Sequence, residues 1–389
     1  MAALDPIGPP RRASSWRSPR LRAWLLQAAL LAAVLGAVAL MFGNALDNLA
    51  RQGIASGFGF LSQPAGFGIE TTLIEYSETS SYGRAFLVGL LNTLLVSAIG
   101  IVLATVLGFV IGVARLSPNA LIRGWAYAYV ELIRNVPLLL QIFFWYFAVL
   151  RPLPGPREAI SLFDVAFLSN RGLQLPKPLP EDGFGWLVAA LALGVVAALL
   201  VARWRRDGAG RRWPWTLAAL LLPPAAVVLA VGWPLAWSVP ELSRFNFHGG
   251  MTLTPEFVAL VLALSLYTAS FIAEIVRAGL QSVRRGQREA ALALGLPPRL
   301  VLRKVVLPQA MRVIVPPLTN QYLNLTKNSS LAAAIAYPDL VSVFAGTVLN
   351  QTGQAVEVIS ITMAVYLAIS LAIAALMAWY NRRQALVER

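Results

Sequence analysis

The sequence contains no cysteine and a single histidine. The first absence excludes disulfides, thiolate nucleophiles, iron–sulfur clusters and cysteine-ligated zinc. The second excludes a zinc site of the HExxH kind, which needs two histidines. His248 stands beside two glycines, outside any long apolar run, and reads as an ordinary loop residue. Lys177, Lys304 and Lys327 are the only lysines, and none follows the glycine pattern of a nucleotide-cradling P-loop. Charge is scarce as well. Only 13% of the 389 residues are charged and 58% are hydrophobic, against about 25% charged in an ordinary soluble domain. That balance excludes a soluble globular enzyme, a disordered chain and a collagen-like one. A polytopic membrane protein fits, with spans of about 20 apolar residues each.

The charges that remain are lopsided, 32 basic against 18 acidic, for a net +14. Arginine outnumbers lysine 29 to 3, a ratio that reads as base composition. The basic residues lie in short loops between apolar runs, so they speak for topology and lipid rather than for a nucleic-acid partner. Eight apolar stretches are expected to span: Ala23–Phe42, Phe86–Val113, Val136–Leu150, Trp186–Ala202, Trp215–Trp233, Phe257–Val276, Val313–Ala336 and Val356–Trp379. The first is too long for a cleavable signal and lacks a clear small-x-small site after it. The third is short, and the apolar Ala120–Leu132 before it is expected to extend it. The seventh holds Pro316, Pro317 and Lys327 and reads as a helix broken near Pro316. Alternate segments hold 24 basic residues on one side and 7 on the other. The positive-inside rule then puts both termini in the cytoplasm, as an even number of spans requires. Glu131 and Arg134, three apart, are expected to pair near that surface. The opposite side carries Asp47, Glu70, Glu75 and Glu78, then loops with Pro152, Pro154, Pro156, Pro176, Pro178 and Pro180 that cannot be helical throughout.

Eight basic residues concentrate between the sixth and seventh stretches. There Glu289 to Leu294 is a run of good helix formers, and Gly295 is placed to end it. Pro298 suits the first turn of a second helix to Val306, which Pro308 is expected to stop. The result is a helix–Gly–helix elbow with a small apolar face (Ala290, Ala291, Leu294) and a basic rim. A loop held to anionic lipid would explain the charges but not the spacing.

That spacing resembles the coupling motif of ABC-importer permease subunits: Glu289-Ala290-Ala291, then Gly295, Val305 and Leu307-Pro308. Val305 stands where isoleucine is usual. Further stretches resemble the polar amino acid branch of that family: Leu91–Ser97, Glu131–Trp145, Tyr267–Arg277 and Pro316–Leu331. The resemblance implies an all-α type I importer transmembrane domain over 86–383. Its core is 86–150 and 254–383, and a two-span insert covers 151–253. Residues 1–85 add a cytoplasmic tail, an extra span and a periplasmic loop. Insert and extra span together resemble the larger subunit of general L-amino acid importers for glutamate, glutamine, aspartate and asparagine.

By that resemblance the chain is a transport subunit of the bacterial inner membrane, not an enzyme, and binds no cofactor itself. ATP and magnesium would be bound by a cytoplasmic ATPase subunit, present in two copies, into which the elbow docks. Ala290 and Ala291 would allow close approach, Glu289 would orient, and Gly295 would permit the turn. A second permease subunit, a paralogue, and a periplasmic amino acid-binding protein complete the expected partners.

Polar groups inside spans are costly and so are site candidates. Asn92, Thr93, Gln141, Asn320, Asn324, Lys327 and Ser329 are the candidate substrate pathway. Asn320 and Asn324 share a helix face. Lys327 has two readings, a cation for an amino acid carboxylate or a lysine bracing a broken helix. Phe143, Phe144, Trp145 and Tyr146 read as an outer-interface belt. An ion-gradient-driven secondary amino acid transporter is the alternative. It would need a relay of acids, and the spans offer few (Glu274 and Asp339) and no histidine. A membrane-embedded enzyme would need a convergent catalytic set, and none is found.

Overall fold

The computed structural model describes residues 19–51, 57–204, 213–243 and 246–384. Several of the basic residues used for orientation, among them Arg11, Arg12, Arg17, Arg205, Arg206, Arg211, Arg212, Arg244 and Arg389, lie outside the described residues.

The architecture is mostly helical, as expected. In chain order the helices are α1 (Pro19–Arg51), α2 (Tyr82–Ala114), α3 (Ala120–Asn135), α4 (Leu138–Phe143, prolonged by π-helical turns Phe144–Leu150), α5 (Phe184–Trp204), α6 (Trp213–Val231) and α7 (Pro255–Gln281). They continue with α8 (Arg285–Ala293), α9 (Pro298–Val301), α10 (Leu307–Asn328), α11 (Leu349–Thr352) and α12 (Ala355–Gln384). Six are long and apolar enough to cross a membrane: α1, α2, α5, α6, α7 and α12. The pair α3–α4 makes a seventh only as a broken span, bent by 106°. So Ala120–Leu132 does not prolong the third stretch in line. Pro137 forces Val136 into an extended conformation (φ −98°, ψ 128°), and the chain turns there. The expected seventh stretch is α10, which carries Arg312, Asn320, Gln321, Asn324 and Lys327 and is not among the apolar spans. Nor is it broken at Pro316. The helix runs through Pro316 and Pro317 and ends at Asn328, where a 3-10 segment, Ser329–Ile335, follows.

Close approach of backbones sets the centre. An added Cβ at Gly108 would lie 2.5 Å from the Ile272 side chain, and at Gly112 2.7 Å from the Ala273 carbonyl oxygen. This Gly-x-x-x-Gly face lets α2 and α7 touch, which is how membrane helices associate where apolar burial gives no driving force. α10 packs beside α7 and α12. One buried cluster joins α2, α4, α7 and α10 through Val96, Ile142, Leu264, Ile272, Ile314 and Leu325. A second lies at the far end of α2, where Phe344 stacks on Phe60 (centroids 6.2 Å) and meets the edge of Phe86 (5.1 Å).

The 151–253 segment holds the α5–α6 hairpin, as expected, and also short strands the sequence did not indicate. β1 (Ile160–Leu162), β2 (Ala166–Ser169), β3 (Gly172–Leu175) and β8 (Met251–Leu253) form an antiparallel sheet in that order. β4 (Lys177–Pro180) pairs with β5 (Leu235–Ser238), and β6 (Glu241–Leu242) with β7 (Phe247–His248). β8 leads directly into α7, whose first turn Thr254 caps through Phe257 N (3.4 Å). One strand, β4, thus incorporates Pro178 and Pro180 of the Pro-rich stretch, as proline is tolerated in short edge strands.

Candidate functional site

The elbow is built from α8, its cap and α9. α8 ends in a Schellman arrangement: Leu296 N donates to Ala291 O (3.3 Å) and Gly295 N to Leu292 O (2.9 Å). Gly295 sits at φ +77°, where a side chain would be strained. Pro298 opens α9, as expected. Pro308 does not stop the chain that follows. Residues Leu302–Val306 form π-helical turns and pass without a gap into α10, with Pro308 in its first turn. A proline there lacks an N–H that the first turn would leave free anyway, and the widened turn relieves its ring.

Within the elbow, Ala291 turns inward and is buried with Val301 and Val306 against the main core. Glu289, Ala290, Gly295 and Pro308 are exposed, as is Leu307, while Val305 is half-buried. Leu294 is 81% exposed. Ala290 and Leu294, one turn apart, thus form the outward apolar face, with Ala291 buried behind it.

Behind the elbow lies a charge clasp that the sequence reading missed. Glu274, near the end of α7, is paired both with Arg277 one turn on and with Arg115, which caps α2. The Arg115 guanidinium also lies over the Tyr127 ring of α3, 5.4 Å from its centroid. Arg115 therefore joins three helices. The expected Glu131–Arg134 pair is not made: Arg134 lies over the Phe271 ring (4.9 Å), and the Glu131 carbonyl accepts from Asn135 Nδ2 (2.6 Å).

The candidate pathway residues separate into two groups. Asn320, Asn324 and Lys327 are exposed on one face of α10, in line with Val313 and Pro317. No hydrogen bond or ion pair engages the Lys327 ammonium among the described residues, and the residue lies in the last turn of α10. The others are engaged and buried. Asn92 Nδ2 donates to Thr71 O (2.8 Å) and Pro338 O (2.9 Å). Thr93 Oγ1 donates to Gly89 O (3.0 Å) and accepts from Leu340 N (2.9 Å). Gln141 Nε2 donates to Ile133 O (2.8 Å) and Val136 O (2.9 Å), closing the end of α3. Ser329 Oγ donates to Thr326 O (2.8 Å). These four tie backbone together and do not join the α10 face. The aromatic run is divided too: Phe144 is exposed, whereas Phe143, Trp145 and Tyr146 pack on the core, and Tyr146 donates to Glu256 Oε1 (2.7 Å).

Residues 100–388 match a family described as "Binding-protein-dependent transport system inner membrane component". Among curated proteins, the chain is 57% identical over 382 residues to the putative amino-acid ABC transporter permease protein YhdX of Escherichia coli (strain K12), covering 96% of this chain and 97% of that one. It is 50% identical to the general L-amino acid transport system permease protein AapQ of Rhizobium johnstonii, covering 97% and 95%. To the glutamate/glutamine/aspartate/asparagine transport system permease protein BztB of Rhodobacter capsulatus it is 41% identical, covering 95% of each chain.

Proposed function

The chain belongs to the family of binding-protein-dependent transport system inner membrane components, and on that premise we propose that it is the membrane-spanning permease subunit of an ATP-driven importer for polar L-amino acids. It is a transport subunit, not an enzyme. The observation that carries the reading is near full-length relatedness to amino-acid permeases. The elbow from Glu289 to Pro308 supports it from the side of geometry.

On this reading the permease works with an ATPase, a second permease subunit and a substrate-binding protein. The finer form is two ATPase copies holding ATP and magnesium, and a paralogous rather than identical permease. The exposed Glu289, Ala290, Leu294 and Gly295 would form the docking face, with Ala291, Val305, Leu307 and Pro308 fixing it to α10. The α10 face of Asn320, Asn324 and Lys327 would meet the amino acid: amides pair with polar groups, and an ammonium attracts a carboxylate. Asn92, Thr93, Gln141 and Ser329 would hold that face in place without touching substrate. The domain reading is a core of 86–150 and 254–383 around the 151–253 insert, with α10 as the seventh of eight spans, a polar one, and both termini cytoplasmic. The ion-gradient alternative loses its main acid, since Glu274 is held by two arginines.

The test is reconstitution. Purified with its neighbours in vesicles, the chain should co-purify an ATPase and drive uptake only with ATP and a binding protein. Uptake by this chain alone, driven by a proton or sodium gradient, would overturn the reading. A reporter fused after Arg389 should report the cytoplasmic side.

A further inference from the structure

A cavity of about 930 Å³ opens between the end of α2, the start of α3 and the elbow. Its walls are apolar, with Val110, Val113, Ile122 and Leu302 exposed in it, and Arg285 and Arg288 stand on its rim. These two arginines lie three apart in the first turn of α8, on one side of that helix. Among the described residues neither is in an ion pair. The N-cap of α8 is Arg284, which gives the first turn no side-chain acceptor. The helix start thus offers free N–H groups and the positive end of its dipole at the same place as two guanidinium groups.

An apolar hollow with a cationic rim has a definite chemical complement. We propose that this cavity holds an anionic phospholipid, its acyl chain along Val110, Val113, Ile122 and Leu302 and its phosphate on Arg285, Arg288 and the start of α8. The charge complementarity favours lipid over a protein segment. A basic pocket between membrane helices on the cytoplasmic side is the usual setting for an anionic headgroup, and guanidinium groups bind phosphate oxygens in pairs. The proposal rests on the reading above for the side of the membrane and nothing else. Its consequence is that a lipid would sit directly behind the docking face, bridging the end of α2 and the elbow.

The complete importer, purified in mild detergent from membranes containing phosphatidylglycerol and phosphatidylethanolamine, should retain phosphatidylglycerol in native mass spectrometry. Arg285→Gln with Arg288→Gln should lower that retention about thirty-fold, from roughly fivefold for each arginine near a membrane surface. Val113→Trp, which fills the cavity and leaves the charges, should lower it as well. Arg299→Gln with Arg303→Gln, outside the cavity, should leave it unchanged. Equal retention in wild type and both cavity variants overturns the proposal, as does retention of phosphatidylethanolamine alone. The cysteine-free chain allows a further arm: a cross-linker on Val113→Cys that captures a protein segment in place of lipid also overturns it. A wild-type chain that retains lipid but fails to hold an ATPase would sink the docking reading and still support the lipid site.

Discussion

Arg115 closes α2, and its guanidinium reaches Glu274 of α7 while covering the face of Tyr127 on α3. The Arg115 side chain is 8% exposed and that of Glu274 30%. Each charge is thus short of water and depends on the other. Glu274 also holds Arg277, so losing the acid strands two cations.

Glu274→Gln and Arg115→Met are each expected to destabilise the chain by about 2 kcal/mol, below the ~3–5 of a fully buried pair because Glu274 keeps some water. The double variant should cost less than the two singles together, by about 1–3 kcal/mol. Thermal unfolding in detergent measures all three. Additive losses would show that the two side chains do not stabilise one another.

At the α2–α7 contact, Gly112→Ala should be destabilising by about 1–3 kcal/mol, because the new methyl meets the Ala273 backbone at 2.7 Å and backbone cannot step aside. Gly124→Ala in α3 has open space around it and should be neutral or stabilising by about 0.5–1 kcal/mol. The same melting assay separates them. Equal effects at both sites would deny the close approach.

On the proposed coupling role, Glu289→Lys should leave insertion and melting unchanged, since Glu289 is exposed, while uptake and substrate-stimulated ATP hydrolysis fall at least tenfold. Gly295→Ala should act through strain at φ +77°, worth about 1 kcal/mol, and lower hydrolysis partway. Wild-type hydrolysis in Glu289→Lys would remove that residue from the docking face.

Lys327 and Asn92 should behave oppositely. Lys327→Met removes an exposed charge with no partner among the described residues, so uptake should drop with melting unchanged. Asn92→Ala frees two carbonyls in the interior and should lower stability by about 1–3 kcal/mol. Uptake lost only in proportion to folded protein would confirm Asn92 as a brace. Normal uptake in Lys327→Met would take the ammonium out of the pathway.

Local chemistry was the legible part. Gly295 and Pro298 act on their own neighbours, and both ended up where their backbone preferences put them. Pro308 has two meanings, since the same missing N–H stops a helix or begins one, and only the widened turn before it decides. Polar residues in apolar runs had the same ambiguity. Asn92 and Asn324 look alike in sequence, yet one faces the turn at Pro338 and the other is exposed. The Arg115–Glu274 clasp joins residues 159 positions apart, which no spacing rule reaches. The strands of the insert are two to four residues long, too short for a period to register.

The unbroken passage from α9 through the π turns into α10 makes one helical run of about 46 Å along its path, at about 1.5 Å per residue over 298–328. The elbow is at one end and Lys327 at the other. Pro316 and Pro317 stand within that run, where an interior proline removes a backbone hydrogen bond and favours a bend, so a push at the elbow would reach Lys327 through one helix whose yielding point is the proline pair. Torque applied in the water would be felt deep in the bilayer within a single helix, without a relay of side chains between them.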